Sequence, residues 1–164
     1  MNREDWWQFG DMHFVIEKLA SRKPNFSAMM GPATPEEVAD FQESVKRPFP
    51  QDYQVFLQYF GHQKTDGISC DLEREFYSFD YSITTLQAEY ARKRWGHTDS
   101  RLLRDPAHSD LLLIGIRPFG EETEHLYLDC RDPEAPRLVT ICNCGEMHRD
   151  ELGMDLKEFV ARCS

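Results

Sequence analysis

The chain has 164 residues and a formal net charge of −10, from 29 acidic and 19 basic side chains. This length is typical of one globular domain, and a hydrophobic fraction of 40% is enough to build its core. The excess of acid disfavours direct binding to nucleic acid, which selects basic patches, and favours attraction of a basic protein partner.

The first residues, MNREDWWQFG, are polar and acidic, and no apolar stretch of signal-peptide length follows them. No run approaches the roughly 20 apolar residues that cross a bilayer. We therefore expect a cytoplasmic protein with no membrane partner. The 5 cysteines are unevenly spaced, and an odd number in such a chain favours reduced thiols over a disulfide framework.

Residues 4–20 are predicted to form a first helix that Gly10 can break, and residues 21–33 to form a loop. The sequence predicts that Thr34 caps the start of a second helix, because Glu37 lies three residues later and completes a capping box. Pro48 and Pro50 end this helix and turn the chain. A third helix follows, with Gly61 expected to close it in the left-handed conformation that glycine accepts. The apolar residues of the third helix recur at helical spacing: Tyr53, Phe56, Leu57 and Phe60.

The rest of the chain predicts one further helix, three strands in series and a closing helix. Residues 62–71 read as a loop, residues 76–79 as a short strand, and Ser82 as a helix start. Residues 111–116 form a compact apolar run of strand length. Residues 125–129 alternate as expected for a strand with one buried face, and residues 138–142 form the third strand. Short turns between these strands favour an antiparallel meander, and residues 154–162 predict the last helix.

Two motifs in this pattern resemble the SUKH superfamily, which includes bacterial immunity proteins and a fungal regulator of cell-wall synthesis. The first is TPEEV at residues 34–38, and the second is FPQDYQVFL at residues 49–57. The chain departs from the family pattern at Phe49, where leucine is usual, and in the turn around Gly61. The matching residues are interpreted as scaffold: Thr34, Glu37, Pro50, Tyr53, Phe56, Leu57 and Gly61.

The resemblance implies an α+β fold with helices packed on one antiparallel β-sheet. It also implies one domain over residues 1–164, with residues 1–33 as an N-terminal extension. By resemblance the chain is an immunity protein that binds and occludes a cognate bacterial toxin, possibly a basic nuclease, without catalysis or a cofactor. A regulatory or scaffold module of the same superfamily is the alternative. The sequence leaves the oligomeric state open.

Two acidic groups are candidates for contact with a basic partner. One alternates along a predicted edge strand, which would place its three carboxylates on one side. The other lies in a predicted turn. A solvated surface is the simpler explanation, because surface charge mostly serves solubility. The six residues predicted to bind the partner are Asp71, Glu73, Glu75, Glu121, Glu122 and Glu124.

Cys142, Cys144 and His148 are the strongest candidates for metal ligation in the sequence, with Cys130 as a fourth donor if the strands pair. Zinc takes such ligands, but usually with two to four residues between the cysteines, and a single intervening residue strains a shared tetrahedral ion. Buried cysteine also serves as a small apolar residue. We therefore predict no metal site, with a zinc-binding domain or enzyme at these residues as a further alternative.

Overall fold

The computed structural model describes residues 3–23, 26, 30–63, 68–72, 75–94, 110–119, 122–142 and 148–162. Five α-helices pack on a four-stranded antiparallel sheet in this part of the chain, which confirms the predicted α+β class. A 3₁₀ helix, Arg3–Phe9, precedes the helices α1 (Met12–Arg22), α2 (Pro35–Val45), α3 (Gln51–Phe60), α4 (Ile83–Arg94) and α5 (Leu156–Ala161). The strands are β1 (Ile68–Leu72), β2 (Glu75–Phe79), β3 (Leu111–Phe119), β4 (Glu122–Asp129), β5 (Arg137–Cys142) and β6 (His148–Glu151).

The main sheet has the order β3-β4-β5-β6, so neighbouring strands are also consecutive in the chain. This is the meander that the short predicted turns favour. Strands β1 and β2 form a separate antiparallel hairpin. The hairpin is joined to the main sheet by a bridge between Asp80 and Ile116, whose amides and carbonyls bond at 2.7 and 3.1 Å.

The capping box at the start of α2 is confirmed. The Thr34 hydroxyl accepts a hydrogen bond from the Glu37 amide at 3.2 Å, and the Thr34 amide donates to the Glu37 carboxylate at 2.8 Å. Two amides that a helix start leaves without intrahelical partners are thereby satisfied. The observed start of α2 therefore agrees with the start predicted from the sequence.

The expected left-handed closure of α3 at Gly61 is wrong. Gly61 has φ −61°, whereas the left-handed residue after a helix is Lys46, with φ 60°, at the end of α2. Gly61 is required for space instead, because an added Cβ would lie 2.5 Å from the Ala33 Cβ and 2.6 Å from the Leu57 carbonyl oxygen. Close packing at the end of α3 therefore selects glycine.

Three strand predictions need correction. Residues 68–71, expected in a loop, belong to β1, and because Leu72 pairs with Glu75, Asp71 and Glu75 lie on two antiparallel strands rather than along one edge strand. Pro118, which lies in the turn predicted between residues 111–116 and 125–129, instead pairs with Thr123 inside the β3–β4 ladder. Strand β6 has no periodic signal in the sequence and was missed.

Strand β4 is buried on both faces rather than on one. Residues 125–129 are all buried, including His125 and Asp129. Successive strand residues point to opposite faces, so both faces of this inner strand are covered. Polar residues can alternate there because they have partners: the His125 ring lies 3.1 Å from the Glu89 carboxylate on α4. Among the helices described, none is long and apolar enough to cross a membrane.

Candidate functional site

A cleft opens where the starts of α3 and α5 meet the segment between β4 and β5. Its volume is about 130 Å³. Leu128 of β4 contributes to the wall, as do residues 134–136 of the β4–β5 segment and Arg137 at the start of β5. The helices contribute Pro50, Asp52 and Tyr53 from the start of α3, and Asp155 and Leu156 from the start of α5.

Backbone pairing holds the start of α5 against the beginning of β5. The Leu138 amide donates to the Met154 carbonyl at 2.9 Å, and the Leu152 amide donates to the Leu138 carbonyl at 3.0 Å. Asp155 then caps α5, because its carboxylate accepts from the Glu158 amide at 2.8 Å. These bonds fix the position of the Asp155 carboxylate in the cleft.

The cleft is predominantly acidic. Asp52, Glu134 and Asp155 supply three carboxylates to its lining, against one guanidinium from Arg137. Burial raises the pKa of Asp52, the charges of Asp155 and Asp11 raise it further, and the charge of Lys157 opposes them. The half-buried Asp52 carboxylate makes no hydrogen bond or ion pair with any residue that the structure describes.

Both cations near the cleft bond to backbone carbonyls instead. The Lys157 ammonium donates to the Gly10 carbonyl at 3.0 Å. An Arg137 guanidinium nitrogen donates to the Gly153 carbonyl at 3.4 Å. Neither cation forms an ion pair with the cleft carboxylates in the described part of the chain. Asp52 therefore keeps a negative charge that no direct contact compensates.

The charged cluster at the end of β4 shows the opposite arrangement. The buried Asp129 carboxylate lies 2.6 Å from the Arg131 guanidinium and 3.3 Å from that of Arg149, which also contacts Glu151 at 2.8 Å. Burial alone would raise the pKa of Asp129, but the hydrogen bonds and charge of Arg131, with the charge of Arg149, lower it below its ordinary value. This cluster is internally neutralised, whereas the cleft is not.

The remaining cleft wall is apolar. Pro50, Leu128, Pro136 and Leu156 line it with Tyr53. The Tyr53 side chain is fully buried, and its hydroxyl has no hydrogen-bond partner among the described residues. An apolar wall beside an uncompensated carboxylate suits a group that combines a hydrocarbon stem with a positive charge.

Comparison with known protein families identifies the family of this chain. The family model described as SMI1 / KNR4 family (SUKH-1) matches residues 32–162, which is most of the chain. The chain belongs to the SUKH-1 family. The resemblance seen in residues 34–61 is thereby confirmed. No curated protein and no solved structure matches the chain significantly.

Membership in SUKH-1 indicates protein–protein interaction in general, and this family is generally known for immunity and binding rather than catalysis. The cleft lies wholly within the matched region, since its lining runs from Pro50 to Leu156. It is the candidate surface that the geometry of this SUKH-1 chain offers for binding.

Four of the six acidic residues predicted from the sequence lie in described strands, and none of these four is among the residues that line this cleft. Asp71 lies in β1, Glu75 in β2, and Glu122 and Glu124 in β4, on separate sheets of the SUKH-1 fold. Glu73 and Glu121 lie outside the described residues. Their role in partner binding stays a prediction.

Glu124 has a structural partner. It pairs with Arg117 across the β3–β4 ladder, and the Arg117 Nε donates to its carboxylate at 2.7 Å. The Glu124 side chain is only 9% exposed. This carboxylate therefore stabilises the sheet in the isolated chain, whatever it does in a complex.

The cysteine-rich stretch is only partly described. Cys142 and His148 are cross-strand partners in the β5–β6 ladder, whereas Cys144 lies outside the described residues. No group of three or more His, Cys, Asp or Glu side chains placed so that it could hold a metal ion occurs among the residues described. Burial raises the pKa of the Cys130 thiol, the charge of Arg47 opposes this shift, and Asp129 and Asp110 add to it. A raised pKa disfavours the reactive thiolate at Cys130.

Sequence reasoning missed the cleft residues Asp52, Glu134 and Asp155. Asp52 sits inside the motif at residues 49–57, where it counted only as part of the family resemblance. The other two occur in a turn and a helix cap, which local patterns explain fully. No signal in the sequence connects the three carboxylates.

Proposed function

We propose that this SUKH-1 chain is a cytoplasmic immunity protein, which binds a cognate bacterial toxin and blocks its active site or its path to substrate. Occlusion is stoichiometric and needs no turnover, metal or cofactor from this chain. The observation that carries the proposal is the SUKH-1 match over residues 32–162. Immunity is among the roles for which that family is generally known.

The charge of the chain supports a basic partner. With 29 acidic against 19 basic side chains, the molecule attracts and steers a positively charged protein. A nuclease domain that binds nucleic-acid phosphates carries such a basic surface. The acidic cleft adds a local site where the same complementarity can act at short range.

The test uses the toxin domain encoded beside this chain. Purified chain and toxin domain are mixed at known ratios, and complex formation is followed by isothermal titration calorimetry. The chain is also co-expressed with the toxin to measure survival. We expect a one-to-one complex, loss of toxin activity at equimolar chain, and rescue of growth.

Absence of a complex, with undiminished killing, would reject the immunity function. In that case a regulatory or scaffold role within SUKH-1 becomes the better explanation. A toxin domain from an unrelated neighbourhood serves as the specificity control, because net charge alone would attract any basic protein.

A further inference from the structure

We infer that the cleft between α3, α5 and the β4–β5 segment receives one basic side chain of the protein partner, with arginine preferred to lysine. This inference rests on the proposed protein-binding function and names the chemistry of the contact. The anchor of the site is Asp52, flanked by Glu134 and Asp155.

The size of the cleft selects a single side chain. Its volume is about 130 Å³. Pockets for cofactors and drug-sized ligands measure roughly 300–1,000 Å³. A nucleotide or a coenzyme is therefore too large, whereas one long side chain can enter.

The charge of the cleft selects a cation. Three carboxylates and one guanidinium contribute to the lining, and the two nearby cations bond to backbone carbonyls. A phosphate or a carboxylate ligand would be repelled by Asp52. An incoming cation would instead give Asp52 the ion pair that it lacks among the described residues, in surroundings less polar than water.

The walls of the cleft favour arginine over lysine. The stem of either side chain can pack against Pro50, Pro136 and Leu156, as long basic residues commonly do. The guanidinium is more weakly hydrated than an ammonium and donates two parallel hydrogen bonds to a carboxylate. The guanidinium therefore loses less hydration free energy than an ammonium when it enters the cleft.

The first experiment tests the cleft directly with small probes. The blocked tripeptide acetyl-Gly-Arg-Gly-amide is titrated into ¹⁵N-labelled protein, and amide shifts are followed by nuclear magnetic resonance. The lysine tripeptide and the citrulline tripeptide, which keeps the shape of arginine without its charge, are titrated in parallel. We expect saturable shifts at Asp52, Tyr53, Leu128, Arg137 and Leu156, in the affinity order arginine, lysine, citrulline.

Two variants locate the binding to the carboxylates. We expect Asp52→Asn to weaken binding of the arginine tripeptide about tenfold, as loss of an ion-pair partner in a partly buried site does. Glu134→Gln, at an exposed position, should weaken it less. Glu43→Gln removes an exposed carboxylate of α2 outside the cleft and should leave the affinity unchanged. Equal binding of arginine and citrulline tripeptides, or unchanged binding by Asp52→Asn, would overturn the inference.

The second experiment separates this inference from the proposed function. If the wild-type chain binds its toxin and Asp52→Asn binds at least tenfold more weakly, both stand. If wild type and Asp52→Asn bind the toxin equally, the cleft assignment fails while the immunity function stands. If the wild-type chain binds no toxin, the immunity function fails and the tripeptide titration alone decides the cleft.

Discussion

Asp52 and Asp155 line one cleft from the starts of two different helices, and the charge of Asp155 helps to raise the pKa of Asp52. Asp155 has a clear structural role, since it caps α5. Asp52 has no hydrogen bond or ion pair among the described residues. A half-buried carboxylate without such a partner costs folding stability, which is a common property of residues kept for binding.

The stability of the protein should therefore depend on Asp52 in a way that changes with pH. Burial and the charges of Asp155 and Asp11 raise its pKa above the ordinary 3.8, against the opposing charge of Lys157. The folded state then holds the proton to higher pH than the unfolded state, so this group lowers the free energy of unfolding as pH rises from 3.8 through the raised pKa.

We expect Asp52→Asn to gain stability relative to wild type between acidic and neutral pH. The substitution removes the titrating group. The unfolding free energy of the variant should therefore exceed that of wild type by more at neutral pH than at acidic pH. Urea unfolding in both pH ranges measures this difference. The other charges at the cleft, Glu134 and Arg137, are retained in both proteins. A difference that stays constant with pH would contradict the prediction.

Asp129 should show the opposite pH dependence. Its pKa is lowered by Arg131 and Arg149 against the effect of burial, so its contribution to stability is present above the ordinary 3.8 and is lost as pH falls through the lowered pKa. We expect Asp129→Asn to lower the unfolding free energy at neutral pH by about 1–3 kcal/mol, the usual cost of a broken buried charged contact. The deficit should shrink in acid. Asp40→Asn, on the exposed face of α2, is the matched control.

The Arg117–Glu124 pair offers a test of whether Glu124 is structural. Both side chains are largely buried, with 13% and 9% exposed, and the guanidinium packs 5.2 Å from the Phe79 ring centroid. We expect Glu124→Leu to destabilise the fold by about 3–5 kcal/mol, because it removes the carboxylate that pairs with the buried Arg117 guanidinium. Thermal and urea unfolding measure the loss.

The double variant Arg117→Met/Glu124→Leu should recover much of that stability, since replacing both members of a buried pair with apolar side chains is often close to neutral. If the double variant folds well and still binds the toxin, Glu124 does not contact the partner. Loss of binding in a stable double variant would support the partner-binding role predicted from the sequence.

Gly31 and Gly153 should tolerate alanine differently, for separate reasons. Gly31 donates to the Tyr59 carbonyl at 2.9 Å and accepts from the His62 amide at 2.7 Å, and an added Cβ would overlap the His62 carbonyl. We expect Gly31→Ala to cost about 3 kcal/mol or more, since the backbone cannot yield as a side chain can. Gly153 has φ 70° with open space around it, so Gly153→Ala should cost only about 1–2 kcal/mol. Equal losses on urea unfolding would contradict this distinction.

Local chemistry was readable from the sequence where partners lie a few residues apart. The capping box needs only Thr34 and Glu37, and the strands at residues 111–116 and 138–142 are apolar enough to be recognised alone. The family resemblance was visible for the same reason, because its specific motifs fall within residues 34–61. Strand β6 could not be predicted because its residues, HRDE, show no apolar periodicity, and it is defined only by its pairing with β5.

The sequence by itself determined the family, the net charge, the helix capped by Thr34 and the helix that follows Pro50. Only the tertiary structure decided what the charges do: Glu124 neutralises Arg117, Asp129 holds two arginines, and Asp52 meets Asp155 and Glu134 at a cleft. The physical reason is the separation along the sequence over which each interaction acts. Capping and periodicity act within one or two turns of chain, whereas the pairing and burial of a charge depend on segments that folding brings together from far apart in the sequence.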